Sequence, residues 1–317
     1  MSYLNAPHLH DEAAAYAFVE ARVWARGRNC PHCGVVGQSG ALKGATTRIG
    51  TYKCYACRKP FTVKIGTIFE SSHVKMHLWL QAIFLIASSK KGISANQLHR
   101  TLGVTLKTAW FMSHRIREAM KSDSMDQLGG RGAIVEADET YYGAVEHKRT
   151  ERTDGTPFSG GGKKPKGGPA NKRPVVSLVE RGGEVRSFHV PSCTKENVAK
   201  IVLDNVRSDS RLHTDESRLY TGADAVFESH ETVKHTAGEY ARGDVFTNTV
   251  EAYFSVFKRG MRGTYQHCAE KHLHRYLAEF DFRFNNRTAL GVGDQTRTDR
   301  LVEGVVGKRL TYRAAGA

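Results

Sequence analysis

Hydrophobic residues change their spacing three times along this chain, and each change marks a different kind of structure. Residues 1–25 read as an N-terminal helical segment. Between 26 and 72 the apolar positions are sparse and short, and TTRIGTYKC and KPFTVKIGT alternate as strands do. From His73 to Lys121 the period becomes helical. Lys75 to Ala87, KMHLWLQAIFLIA, predicts an apolar helix, and Ser94 with Gln97 three residues later forms a capping box that opens a second, SANQLHRTL. Gly103 breaks that pattern, and Thr105 caps a third helix, LKTAWFMSHRIREAMK.

In the third helix Ala109, Met112 and Ile116 can face a core, while Lys107, Thr108, His114, Arg115 and Arg117 point away from it. Two short helices joined by a Gly-containing turn suit a helix-turn-helix over 73–121, whose second helix would enter a DNA major groove. The other reading of the same pattern is a helical linker domain with a solvated basic face.

A polar linker, 122–132, ends in GGRG, and after it the periodicity returns to strands. Ala133 to Tyr142 begins with a short apolar run and reads as a buried strand with Asp138 at its end. An insertion over 144–173 carries six glycines and eight Lys or Arg against three acids, and predicts a mobile basic loop in which Lys163, Lys164 and Lys166 could meet DNA. Pro174 to Val190 predicts a hairpin about Arg181-Gly182-Gly183-Glu184. A helix over Lys195 to Val206, a strand ending at Asp215, a short helix, a weak strand (ETVKHT) and a helix over Thr247 to Arg262 follow. Leu273, Tyr276, Leu277, Phe280 and Phe284 then lie at helical spacing. This order predicts an α/β domain over 133–290, a mixed sheet with helices packed on its faces. Residues 291–317 read as a C-terminal tail.

Charge narrows the partners. The 317 residues carry 47 Lys or Arg against 32 Asp or Glu, a net charge of +15. So basic a balance predicts a polyanion, most simply nucleic acid. No apolar run reaches the roughly 18 to 20 residues of a membrane span, so the expected location is the cytoplasm, alongside the nucleoid. Four of the six cysteines form two pairs, Cys30-Pro-His-Cys33 and Cys54-Tyr-Ala-Cys57, with 20 residues between them. That spacing fits a ribbon in which two knuckles gather four thiolates around one structural Zn²⁺, and it excludes a secreted disulfide framework. Basic residues from Arg28 to Lys64 surround the knuckles and could touch phosphates.

The acids supply candidate chemistry. Asp138 and Asp215 end two strand candidates, and Glu251 lies on a helix with 35 residues between it and Asp215. Lys258 lies two turns beyond Glu251 on the same face, where it could anchor a phosphate. Two or three carboxylates suffice to hold two Mg²⁺ (or Mn²⁺) ions for phosphodiester cleavage. Glu136 and Glu139 flank Asp138 but alternate or turn away from it on a strand, which assigns them to solvent or to supporting roles.

The zinc ribbon, the basic helical domain, ADETY, HTDES, TNTVEAYFSVFKRGMRGTY and HLHRYLAEFDFRFNNR resemble, in that order, the bacterial insertion-sequence transposases that join a zinc-ribbon N-terminus to an ISXO-type, DDE-class core. The resemblance covers about residues 20 to 290. It implies an RNase H-like fold and metal-dependent cutting at transposon ends, followed by attack of the freed 3′-hydroxyls on target DNA by at least a dimer. Carried over by position, Asp138, Asp215 and Glu251 are the triad and Lys258 its basic companion. Some relatives use asparagine as the last triad residue, which leaves Asn248, one turn before Glu251, as an alternative third ligand. Two other functions share some of these features: an RNase H-like nuclease without strand transfer, and a catalytically silent DNA-binding regulator.

Overall fold

The structure, a computed structural model, describes residues 3–122, 124–144 and 171–311. The chain divides into two units, Met1–Ser122 with Asn286–Ala317, and Asp123–Asn285. Lys163, Lys164 and Lys166, with most of the basic insertion, lie outside the described residues. No helix among the described residues is long and apolar enough to cross a membrane.

The first unit opens with helix α1 (Glu12–Val23), whose N-cap Asp11 accepts the amide N–H of Ala14 at 2.7 Å. A three-stranded antiparallel ribbon follows, β1 (Ser39–Ala41), β2 (Tyr52–Cys54) and β3 (Pro60–Phe61). Its core is small: Cys30, Cys54 and Phe61, with Trp24 and Tyr52 packed against them. Helix α2 (Met76–Ser88) buries Trp79, Leu80, Ile83 and Ile86. Its N-cap, Lys75, offers no side-chain acceptor. Glu12 of α1 reaches across instead and accepts the amides of Met76 at 2.8 Å and His77 at 3.2 Å. Helices α3 (Ala95–Leu102) and α4 (Leu106–Ala119) form the expected pair, capped by Ser94 and Thr105. The turn between them needs Gly103, whose φ of +66° is left-handed.

Helix α4 differs from the expectation that its polar residues point outward. Lys107 is exposed and Thr108 half-buried, but His114, Arg115 and Arg117 are all buried. Arg115 shows why. Its guanidinium donates to the carbonyls of Ile68 and Glu70, each at 2.8 Å, and of Leu310 at 3.0 Å, so protein replaces the water that periodicity had assigned to it. Arg115→Met is therefore expected to lower stability in urea unfolding by roughly 2 kcal/mol or more, since buried carbonyls lose their donor. An arginine serving only as a phosphate contact would leave stability nearly unchanged.

The segment read as a tail contains a helix, α8 (Asp294–Glu303), packed on α1 and α2. It buries Leu301 and Val302, and its Arg297 is held by the carbonyls of Asn286, Ala87 and Val292.

The second unit is built on a five-stranded sheet. Its strands are β4 (Ile134–Ala144), β5 (Lys172–Glu180), β6 (Val185–His189), β7 (Arg211–Asp215) and β8 (Ser229–Val233), in the order β6-β5-β4-β7-β8. β4, β5 and β6 run antiparallel as neighbours, while β7 and β8 lie parallel to β4. A further two-stranded hairpin, β9 (Ala241–Arg242) and β10 (Val245–Phe246), precedes the next long helix.

Strand alternation sends Val176 and Leu178 to one face of the sheet and Val175 and Val179 to the other. The first face, with Val135 and Ala137, is covered by α5 (Lys195–Asn205) through Val198 and Val202. The second is covered by α6 (Asn248–Gly260) and α7 (Leu273–Asn285) through Val250, Phe254, Phe257, Leu277 and Phe280. Helices thus cover both faces of a mixed sheet, the expected α/β, RNase H-like arrangement.

Candidate functional site

The same alternation fixes where the acids go. Val135 and Ala137 face α5, so Glu136 and Asp138 face α6. The parallel pairing of β4 with β7 ends at Glu136 opposite His213. Asp138 and Asp215 each lie two residues further along, side by side where the pairing stops. Asp138 is not at the end of its strand, as the apolar run suggested, because β4 continues to Ala144 paired with β5. What ends there is the contact with β7. Beyond it, the chain turns at Ser217 into a 3-10 turn, Arg218–Tyr220, that folds over the edge of β4.

Ligand atoms of Asp138, Glu139 and Asp215 all lie within 4.8 Å of one another. Glu139 does alternate away from Asp138, as read from the sequence, yet its carboxylate accepts from Ser217 Oγ at 3.3 Å and Tyr220 Oη at 3.1 Å and stays in the cluster. Its place in the cluster is not visible in the sequence because the turn that holds it is non-local. The only local signal was a second acid directly beside Asp138. Asp138 Oδ1 accepts the amide of Glu139 at 2.7 Å, and Asp215 Oδ1 accepts that of Ser217 at 3.0 Å, which fixes both side chains.

Glu251 sits in the first turn of α6, half exposed, 3.3 Å from Thr247 Oγ1 and 3.6 Å from His235 Nε2. Its charge reaches Asp138, but its oxygens are not part of the tight group of three. Asn248 is the first residue of α6 and is exposed. Lys258 is partly buried, which lowers its pKa; the Asp138 carboxylate opposes that shift, and Arg262 and Lys172 add to it. Lys258 thus feels both the Asp138 carboxylate and two further cations, Arg262 and Lys172.

Burial, and then the charges of Glu139, Asp215 and Glu251, push the Asp138 carboxyl up to about 8. Crowded carboxylates of this kind suit a divalent cation, which removes both costs at once. The sign of the linkage follows. An acid whose folded pKa is raised stabilises the fold fully below its unfolded value near 4, and that contribution is lost as pH rises to about 8. A bound cation displaces the proton, so its stabilising effect should grow with pH over the same window. Thermal unfolding with and without Mg²⁺ is expected to show a larger gain in Tm at about pH 9 than at about pH 6. A gain independent of pH would place the ion elsewhere.

The four cysteines make a second metal-ligating group. Cys30 and Cys57 Sγ are 3.7 Å apart, as are Cys33 and Cys54 Sγ. Thiolates at a Zn–S distance of about 2.3 Å on a tetrahedron would be about 3.8 Å apart, so the donor set fits. Around the ribbon Lys43, Arg48, Lys53, Arg58 and Lys59 are exposed. Two other basic residues are spent on structure: Arg28 lies 3.6 Å over the Tyr52 ring, and Lys64 Nζ donates to Ser72 O at 2.7 Å.

The sequence profile of the ISXO2-like transposase domain matches residues 127–285, and that of the transposase zinc-ribbon domain matches residues 10–60. A protein of transposable element ISH50 from Halobacterium salinarum is 28% identical over 267 residues, 82% of this chain and 86% of that one. A transposase-like protein of Haemophilus influenzae is 27% identical over 103 residues, covering 32% of this chain and 82% of that one. Among solved structures, the Mos1 transposase paired-end complex with left transposon end aligns at a TM-score of 0.22 and 12% identity, covering 67% of this chain and 76% of that one. The transposase-domain match, which takes in half of the chain and all of the acidic cluster, shows that this protein belongs to the ISXO2-like transposase family.

Proposed function

We propose that the chain binds the ends of its own insertion sequence as double-stranded DNA, cuts them, and joins the freed 3′-hydroxyls to target DNA. The observation that carries this reading is the convergence of Asp138 and Asp215 from adjacent parallel strands, their ligand atoms and that of Glu139 within 4.8 Å of one another, on the sheet face covered by the helix that bears Glu251 and Lys258. Asp138, Asp215 and Glu251 would hold Mg²⁺ or Mn²⁺, with Asn248 the alternative to Glu251. Two such ions supply activation of the attacking oxygen and stabilisation of the leaving oxygen. Lys258, with Arg262 and Lys172, would fix the phosphate on the open side of the cluster. One Zn²⁺ in the four-cysteine site would hold the ribbon, whose exposed Lys43, Arg48, Lys53, Arg58 and Lys59 meet backbone phosphates, with Lys107 and Thr108 of α4 alongside. Pairing two DNA ends calls for at least two copies of the chain.

The test is cleavage of end-labelled duplexes carrying the element's own termini in the presence of Mg²⁺. Cuts at the terminus that leave a 3′-hydroxyl support the reading. Binding without cuts under either Mg²⁺ or Mn²⁺ would turn it to a silent DNA-binding protein.

A further inference from the structure

Glu136 is a fully buried carboxylate that no part of the proposed chemistry uses. It stands two residues before Asp138 on β4, on the same face, and points at the start of α6. The helix needs it. Thr247, the N-cap of α6, makes no side-chain cap bond to the helix amides, so the first N–H groups would be left without acceptors. Glu136 Oε2 accepts the amides of Thr249 at 2.8 Å and Val250 at 3.0 Å, and Oε1 accepts Thr249 Oγ1 at 2.8 Å.

The charge is balanced from the other side. Arg181, in the turn between β5 and β6, donates to Glu136 Oε1 from Nε at 3.0 Å and from Nη2 at 2.9 Å. Its remaining donors reach the carbonyls of Asp244 at 2.8 Å and Phe246 at 3.1 Å, and its guanidinium lies 3.7 Å over the Phe246 ring. The arginine thus grips the segment that leads into α6, while the glutamate grips the helix itself.

We propose that Glu136, paired with Arg181, is the positioning residue that sets Glu251 against the two aspartates and so fixes the metal affinity of the site. The inference rests on the reading of Asp138, Asp215 and Glu251 as metal ligands. One carboxylate links the strand of the first ligand to the helix turn of the third. Each ligand lies within two residues of the tie, so a change at Glu136 is felt as a shift of Glu251 relative to Asp138. A helix capped from its own sequence would be registered to the sheet by side-chain packing alone.

Mn²⁺ uptake by the full chain, followed through the electron paramagnetic resonance of the free ion, reads this directly without requiring turnover. Glu136→Gln keeps the volume but removes the charge and places an amide among donors. It is expected to weaken Mn²⁺ binding by about 10- to 100-fold, the range for residues that orient metal ligands. Because the effect passes through Glu251, adding Glu136→Gln to Glu251→Gln should cost less than about 2-fold more. Arg181→Lys, which leaves the glutamate on the helix amides, should weaken binding in the same direction by a smaller factor, and guards against a Glu136 variant that fails to fold. Wild-type affinity in Glu136→Gln, or an equal loss with and without Glu251, overturns the proposal. If Glu251→Gln binds Mn²⁺ as wild type does while Asp138→Asn does not, the ligand reading itself fails and takes the proposal with it.

Discussion

Asparagine at Asp138 or Asp215 is expected to reduce end cleavage and joining by at least about 10³-fold, and at Asp138 it should also raise the Tm of the metal-free protein. The two effects have one origin. In the folded chain the Asp138 carboxyl is buried and crowded by Glu139 and Asp215, so its ionisation opposes folding until a cation enters. Asn keeps the side-chain oxygen that accepts from the Glu139 or Ser217 amide. What it removes is the negative charge. Loss of activity together with gain of stability is the signature of a functional site held at a cost to the fold. A variant that lost both would mark the aspartates as structural. End binding, assigned by the proposed function to the ribbon and α4, should be unchanged within about 2-fold.

Cys54→Ser, or removal of zinc by a chelator, is expected to unfold the ribbon and abolish specific end binding. The reason is the size of what remains. Strands of three, three and two residues enclose only Cys30, Cys54 and Phe61 as fully buried side chains. So small a core cannot offset the entropy of ordering the segment. Structural zinc supplies apparent free energies of about 10–16 kcal/mol in zinc-finger peptides, far more than the ribbon's own contacts. Cys54 is completely buried, so serine cannot escape the site. The readout is local: Trp24 packs edge-on against Tyr52 and Phe61 and should show red-shifted fluorescence when the ribbon opens. Release of about one Zn²⁺ per chain should accompany it. An unchanged spectrum after zinc loss would show that the ribbon folds without metal.

Much of this architecture is legible in the chain because the signals are local. The Arg181 to Glu184 turn and the Ser94 and Thr105 caps each depend on neighbours in sequence, and each is found where the pattern puts it; alternation in the ribbon is a weaker guide, since of TTRIGTYKC and KPFTVKIGT only Tyr52–Cys54 and Pro60–Phe61 are strands. Four cysteines in two close pairs and two acids closing short apolar runs are local signals too. The misreadings are non-local. Helical spacing shows which face of α4 is apolar, but not that Arg115 can be buried once carbonyls from two distant segments saturate its donors. Helix α8 was missed because it has little apolar stripe to find; two of its four buried residues are Arg297 and Thr298. Glu139 stays in the site through a turn that begins 78 residues later, and Glu136 caps a helix 113 residues away. In both cases the sequence shows an acid on a strand and nothing of its partner.

Joining is the step that separates the proposed strand transfer from simpler nuclease chemistry. The most direct measurement supplies the purified protein with pre-cut duplexes of its own element's ends, a supercoiled target and Mg²⁺, and compares wild type with Asp215→Asn. Covalently joined products are expected from wild type, dependent on Mg²⁺ and absent from Asp215→Asn. Cut but unjoined DNA, or joining that survives Asp215→Asn, would contradict the proposed strand transfer.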